Sequence, residues 1–164
     1  MMSFRMAWYK VYYPVDFYAT YFTSTVSNFD TDTILKGPKA CLDKMEAINM
    51  KGNNATAKEK DDVMILEVAY EMYARGFEFE PPRLGASHAV KFWDYEGKVL
   101  LPYVALDGLG ETAAKSFAEA YDEKPFDTIE EAVNRAKLNK TAIEALRAHG
   151  IFDGLPETDQ LSLF

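Results

Sequence analysis

Residues 106–117 read Leu106-Asp107-Gly108-Leu109-Gly110-Glu111-Thr112-Ala113-Ala114-Lys115-Ser116-Phe117. A glycine, a leucine and a second glycine open an alanine-rich stretch, with Ala113, Ala114 and Phe117 at helical spacing. Glycine tolerates backbone angles that other residues avoid, so the pair lets the chain turn tightly and approach a ligand closely. Leu109 is expected to anchor the turn, and Ala113, Ala114 and Phe117 to pack the helix behind it. The first amides of that helix then face outward. Free N–H groups at the positive end of a helix dipole form an anion site.

This is the helix-hairpin-helix pattern, and the anion such a hairpin meets is a DNA backbone phosphate, held without regard to base sequence. Candidate DNA contacts are Gly108, Leu109, Gly110, the Thr112 hydroxyl and Lys115. The competing reading is a plain interhelical turn. Asp107 and Glu111 favour that alternative, because both place negative charge beside the phosphate. Weak, sequence-independent duplex binding is expected from this element alone. A second unit of similar proportions follows at residues 128–150. Thr128 and Glu131 have capping-box spacing, Lys137-Leu138-Asn139 turns the chain, and a helix from Lys140 ends at Gly150. This unit lacks the glycines, and Asn139 is expected to cap its own helix, occupying amides that bind phosphate in the first hairpin. Lys137 and Lys140 complete the candidate DNA contacts, although lysines at a helix start are more often solvated surface.

Working upstream, Ser3 is placed to cap a first helix that Pro14 stops near Tyr13, and a second runs from Val15 to about Thr25. Both are apolar nearly all round and are expected to be buried against a partner element. A short helix through Leu35 ends at Gly37, and Pro38 opens another that reaches about Met50. Thr56 and Glu59 form a capping box for a long helix closed by Gly76. Phe77-Glu78-Phe79-Glu80 alternates, and residues 90–92 and 99–101 flank a turn at Glu96-Gly97, the pattern of a small β-hairpin. Residues 154–159 read as a polar linker containing Pro156. The expected fold is therefore mainly α with a small β-hairpin, followed by tandem helix-hairpin-helix elements and a flexible C-terminal tail.

Composition narrows the function classes. The 164 residues are 48% hydrophobic, 14% aromatic and 27% charged, the balance of a globular chain long enough to bury a core. Cys41 is the only cysteine, which rules out an intrachain disulfide and a cysteine-type zinc site and points to a reducing, cytosolic compartment. No run approaches the roughly 20 apolar residues of a membrane span, so no membrane partner is expected. A formal charge of -8 opposes bulk attraction to nucleic acid, so any DNA contact must be local. His88, His149 and Cys41 lack partners at ligand or nucleophile spacing and read as structural or surface residues.

The chain closes on Gln160-Leu161-Ser162-Leu163-Phe164. An extended peptide with leucine and phenylalanine anchors suits an apolar groove on a partner, with the Gln160 amide at the rim. Folding back onto its own domain is the alternative. With that tail, the blocks FRMAWYKVYYPVDFYATYF, LEVAYEMYARGFEF, LPYVALDGLGETAAKS and LNKTAIEALRAHGIFDGLPETDQLSLF occur in an order that resembles the C-terminal segment of the PolC-type bacterial DNA polymerase III alpha subunit, the Gram-positive replicative polymerase.

The resemblance implies that residues 1–28 close the fingers region, 29–101 form a helical region with the hairpin, 102–152 form a tandem helix-hairpin-helix duplex-binding region, and 153–164 are a linker and clamp-binding tail. Gln160, Leu161, Ser162, Leu163 and Phe164 would then bind the bacterial sliding clamp. Duplex DNA and the remainder of the polymerase are the other implied partners, in the cytoplasm at the nucleoid. The family's palm carboxylates lie upstream of residue 1, so no catalytic residue, metal ligand or cofactor is assigned here, and magnesium is implied only for the full polymerase. Polymerase activity is not expected of this chain by itself. Asp107 stands where such hairpins commonly have proline, a departure that bears on the phosphate contact. Two rival classes remain: a small helix-hairpin-helix enzyme with a carboxylate or lysine in a nearby cleft, and a structural helical protein whose hairpins are only turns.

Overall fold

Proline sets the first helix boundaries in the computed structural model, which describes residues 2–158. Helix α1 spans Met2–Tyr12 and α2 spans Pro14–Ser24, with Pro14 at a position where its missing N–H loses no hydrogen bond. Pro38 plays the same part in α4 (Pro38–Met50), which follows the short α3 (Thr31–Leu35). Asp30 caps α3 by accepting from the Thr33 backbone N–H at 3.2 Å. Ser3, expected as a cap, instead lies inside α1.

Helix α5 (Ala57–Ala74) starts at the expected capping box. The Glu59 N–H donates to the Thr56 hydroxyl at 3.1 Å, and the Thr56 N–H donates to the Glu59 carboxylate at 2.9 Å. The helix closes in a Schellman turn, with the Gly76 N–H bonded to the Tyr73 carbonyl and the Phe77 N–H to the Met72 carbonyl. Gly76 takes φ 89° there, a conformation that strains other residues.

Strand β1 (Phe79–Glu80) is followed by β2 (Trp93–Tyr95) and β3 (Lys98–Leu100). Glu96 and Gly97 have φ of 52° and 82°, so the β2–β3 turn has positive φ at both central residues, as a two-residue hairpin requires. Two expectations are corrected. The first hairpin strand lies at 93–95 rather than 90–92, because the Phe92 N–H is engaged by the Thr23 hydroxyl at 2.9 Å. The hairpin is also part of a three-stranded sheet of order β1-β3-β2, in which β1 pairs parallel with β3.

The chain divides into two compact units. The first runs to Pro81 and takes in Lys91–Leu101; the second holds Pro82–Val90 and the chain from Pro102. In the first, α2 buries Val15, Tyr18, Ala19 and Phe22, and Phe22 meets the rings of Phe29, Phe79 and Phe92 at 5.1–5.8 Å. Helix α1 departs from its expected burial: Trp8, Tyr9, Val11 and Tyr12 are exposed.

In the second unit a 3-10 turn (Tyr103–Ala105) leads to α6 (Glu111–Glu123), α7 (Ile129–Ala136) and α8 (Lys140–Ala148). Phe117 centres the core, with ring centroids 5.0 Å from Tyr103 and 5.4 Å from Phe126. Buried Ala114, Ala132, Ala136 and Ala142 let the helices approach closely. Residues 82–90, expected in the preceding helical region, are bound here instead. The Tyr103 and Val104 amides donate to the His88 and Ala89 carbonyls, and the Tyr103 hydroxyl donates to the Arg83 carbonyl at 3.1 Å.

The start of the expected flexible linker is tied down as well. The Ile129 and Glu130 amides donate to the Pro156 and Glu157 carbonyls at 2.9 and 3.1 Å, and the Arg147 guanidinium donates to both Glu157 oxygens at 2.5 and 2.8 Å. The first amides of α7 need acceptors, and the passing backbone supplies them. The tail residues Gln160 to Phe164 lie outside the described residues. Among the described residues, no helix is long and apolar enough to cross a membrane.

Candidate nucleic-acid interface

Helix α6 begins on Gly110, and no side chain caps it. Its first turn closes when the Ala114 N–H donates to the Gly110 carbonyl at 2.9 Å. The amides of Glu111, Thr112 and Ala113 precede the first intrahelical donor and sit at the positive end of the helix dipole. The neighbouring helices differ. The Glu131 N–H donates to the Thr128 hydroxyl at 3.1 Å at the start of α7, where the linker carbonyls take the other two amides. The Ala142 N–H donates to the Asn139 side chain at 2.8 Å at the start of α8, the cap expected there. The Thr128 box is not reciprocal, because the Glu131 carboxylate accepts from the Asp127 N–H instead. Among the described residues of the second unit, α6 therefore has the barest helix start.

The two glycines of the hairpin have different roles, and the expectation that both serve the turn is corrected. Gly108 has φ 93°, and a Cβ on it would stand 2.9 Å from the Thr141 methyl carbon. Both backbone conformation and packing call for glycine at that position. Gly110 has φ -69° and ψ 164°, angles open to any residue, and nothing lies within 4 Å of an added Cβ. It leaves clear space in front of the α6 amides. Leu109 is buried as expected, as are Ala114 and Phe117, while Ala113 is half-buried.

The closeness of Gly108 to Thr141 places the first hairpin against the start of α8. The Ser116 hydroxyl donates to the Ala136 carbonyl at 2.9 Å, tying α6 to the end of α7 just before the 137–139 turn. Thr112 lies one turn before Ser116 on the same face of α6 and is exposed. Lys137 ends α7 in a left-handed conformation, φ 54° and ψ 47°, and Lys140 opens α8; both are exposed. The Gly108 turn and α6 are thus held against the 137–141 turn, where Lys137 is exposed and the Lys140 ammonium lies 3.9 Å from the Glu144 carboxylate. Lys115 fits less well, since its ammonium is bonded to the Glu111 carboxylate at 2.5 Å. That exposed pair is weak, so a phosphate can compete for the lysine. Sequence reasoning missed Thr141 and Ser116, whose partners lie in other helices and leave no local signal.

The remaining sequence candidates have structural surroundings. Cys41 is buried in α4, and burial together with the negative charge of Asp30 pushes its thiol up to about 11, unsuited to nucleophilic chemistry near neutral pH. The His88 Nδ1 accepts the Val90 N–H at 3.0 Å and helps hold the 82–90 segment. His149 is half-buried at the C-cap of α8. Among the described residues, no group of three or more His, Cys, Asp or Glu side chains could hold a metal ion.

Comparison with known proteins identifies the relatives of the chain. The family described as the helix-hairpin-helix motif matches residues 76–161, more than half of the chain. The chain is 46% identical over its full length to the DNA polymerase III PolC-type of Clostridium perfringens. It is 41% identical over 99% of its length to that of Thermotoga maritima, and 39% identical over its full length to that of Bacillus subtilis. It spans only 11–12% of the length of these curated relatives.

Proposed function

The chain belongs to the helix-hairpin-helix family and is homologous along its whole length to a segment of PolC-type DNA polymerase III, and from that premise we propose that it grips duplex DNA for a replicative polymerase. The observation that carries this reading is the uncapped start of α6 behind Gly108-Leu109-Gly110, set against the start of α8. The free α6 amides and the dipole behind them would hold one backbone phosphate, and Lys137 and Lys140 would meet a neighbouring one. Nothing in this set reads base edges, so binding is independent of sequence. It is also weak, because few phosphates are neutralised and the chain carries a formal charge of -8.

The segment also tethers the polymerase to its sliding clamp through Gln160, Leu161, Ser162, Leu163 and Phe164. The support is the spacing of apolar anchors in an otherwise polar stretch, together with relatives that are polymerases. Because the backbone is held as far as Glu157, covalent geometry limits the reach of residues 158–164 to roughly 25 Å. The clamp would then sit close to the hairpin unit, and each contact would raise the effective concentration of the other. Nucleotidyl transfer is not assigned to these residues; in this reading the segment works in the cytoplasm, at the nucleoid, as part of a magnesium-dependent polymerase whose chemistry lies elsewhere.

Fluorescence anisotropy with two short duplexes of unrelated sequence, repeated across a salt series, tests the DNA reading. Equal affinities and a log–log salt slope of about two to three are expected, the signature of two or three phosphate contacts. Strong preference for one sequence, or no binding at low salt, refutes it.

A further inference from the structure

Carboxylates occupy nearly every cation of the hairpin unit. Between residues 106 and 158 the lysines and arginines are Lys115, Lys124, Arg135, Lys137, Lys140 and Arg147. Lys124 lies 3.3 Å from Asp127, Arg135 lies 3.1 Å from Glu131, and Arg147 lies 2.5 Å from Glu157. At the candidate interface itself, the Lys115 ammonium lies 2.5 Å from Glu111 and the Lys140 ammonium 3.9 Å from Glu144. Among the described residues, Lys137 is the one cation of this stretch with no carboxylate partner. Glu111 stands in a second way where an anion is favoured. It is the first residue of α6, at the positive end of the dipole whose amides would hold a phosphate. One carboxylate thus draws on both positive features that the phosphate would use, the helix start and Lys115.

We propose that Glu111 is a tethered competitor of the DNA phosphate: it shares the α6 start with the incoming anion and holds Lys115 until the phosphate displaces it. The proposal rests on the DNA reading above and concerns how that site is regulated. Lys137 makes the first contact, and Lys115 joins only in exchange for its pair with Glu111. The exchange costs little in either direction, because an exposed ion pair contributes little and is screened by salt. The grip therefore stays loose while the shape of the hairpin is unchanged, which suits an element that contacts only the backbone of a duplex sliding past it. A pair at this spacing also supports its own helix, so DNA affinity and fold stability have to be read separately.

The test compares wild type with Glu111→Gln, Lys115→Gln and the double variant in anisotropy titrations with a short duplex across a salt series, with thermal unfolding by circular dichroism as the check on each fold. Glu111→Gln should bind duplex about three- to tenfold more tightly, from release of an exposed pair and removal of a like charge beside the phosphate. Its log–log salt slope should steepen by about one, the mark of one more phosphate neutralised. Lys115→Gln should weaken binding less in wild type than in the Glu111→Gln background, because only there is the ammonium free for a phosphate. Glu123→Gln changes the net charge equally but lies at the far end of α6, so its affinity should stay within about twofold of wild type. Unimproved binding by Glu111→Gln, an unchanged slope, or equal losses from Lys115→Gln in both backgrounds would overturn the proposal, as would an equal gain from Glu123→Gln. Absence of duplex binding by wild type and every variant would instead refute the hairpin reading on which it rests.

Discussion

Replacing Gly110 with serine should move fold stability and DNA affinity in opposite directions. Gly110 is the N-cap of α6, its backbone angles suit any residue, and no neighbour lies within 4 Å of an added Cβ. A serine there costs no strain, restricts the unfolded chain, and offers its hydroxyl to an amide of the first turn. The first effect is worth about 0.4–1 kcal/mol and the second a few tenths, so the fold should gain about 0.7–1.3 kcal/mol. In a chain of this size that raises the midpoint of thermal unfolding by about 1–4 °C. The same hydroxyl occupies an amide that would otherwise face a phosphate. Loss of one hydrogen bond to a charged acceptor costs about 1.5–3 kcal/mol, a drop in duplex affinity of roughly ten- to a hundredfold. Thermal unfolding by circular dichroism and anisotropy titration at low salt read the two quantities on one sample. A stabilised variant that binds duplex as tightly as wild type would refute the reasoning and leave the glycine pair as an interhelical turn.

Gly108→Ala should behave differently, losing about 2–3 kcal/mol of stability in urea unfolding because alanine is strained at φ 93° and its Cβ meets Thr141 at 2.9 Å; wild-type stability would contradict the packing described. Burial by itself would raise the Asp30 carboxyl, but the Lys44 ammonium and the Thr33 hydroxyl and amide outweigh it and bring the group below its usual 3.8. A lowered folded pKa contributes stability above 3.8 that is lost as pH falls through the folded value, so the stability gap between wild type and Asp30→Ala should be widest near neutral pH and narrow below pH 3.8, whereas a gap independent of pH would exclude this ion pair as its source. Replacing Leu163 and Phe164 together with alanine should weaken sliding-clamp binding by about two to four orders of magnitude, from roughly 1.5–3 kcal/mol per buried side chain. Calorimetry with purified clamp decides it, and unchanged affinity would remove the tail from the interface.

Much of this protein was legible from short-range chemistry. Pro38 at the first position of α4, the Thr56 and Glu59 box of α5, the Gly76 turn and the Glu96-Gly97 hairpin depend on residues within a few positions of one another. Their backbone preferences and hydrogen bonds act before any tertiary contact forms, so the residue types alone announce them. Gly108-Leu109-Gly110 belongs to this class in its turn, and the resemblance to a polymerase segment followed from such blocks occurring in order. Tertiary structure decided the rest. The parallel pairing of β1 with β3 involves a two-residue strand, too short to carry a periodicity of its own. The linker is held by the carbonyls of Pro156 and Glu157, groups that every residue has and that residue identity cannot signal. The distinct roles of Gly108 and Gly110 depend on Thr141, which only the packing of α8 brings near the hairpin. Helix α1 has apolar residues nearly all round, yet that pattern could not say which face would be left uncovered, because burial belongs to the surfaces that meet and not to the helix alone.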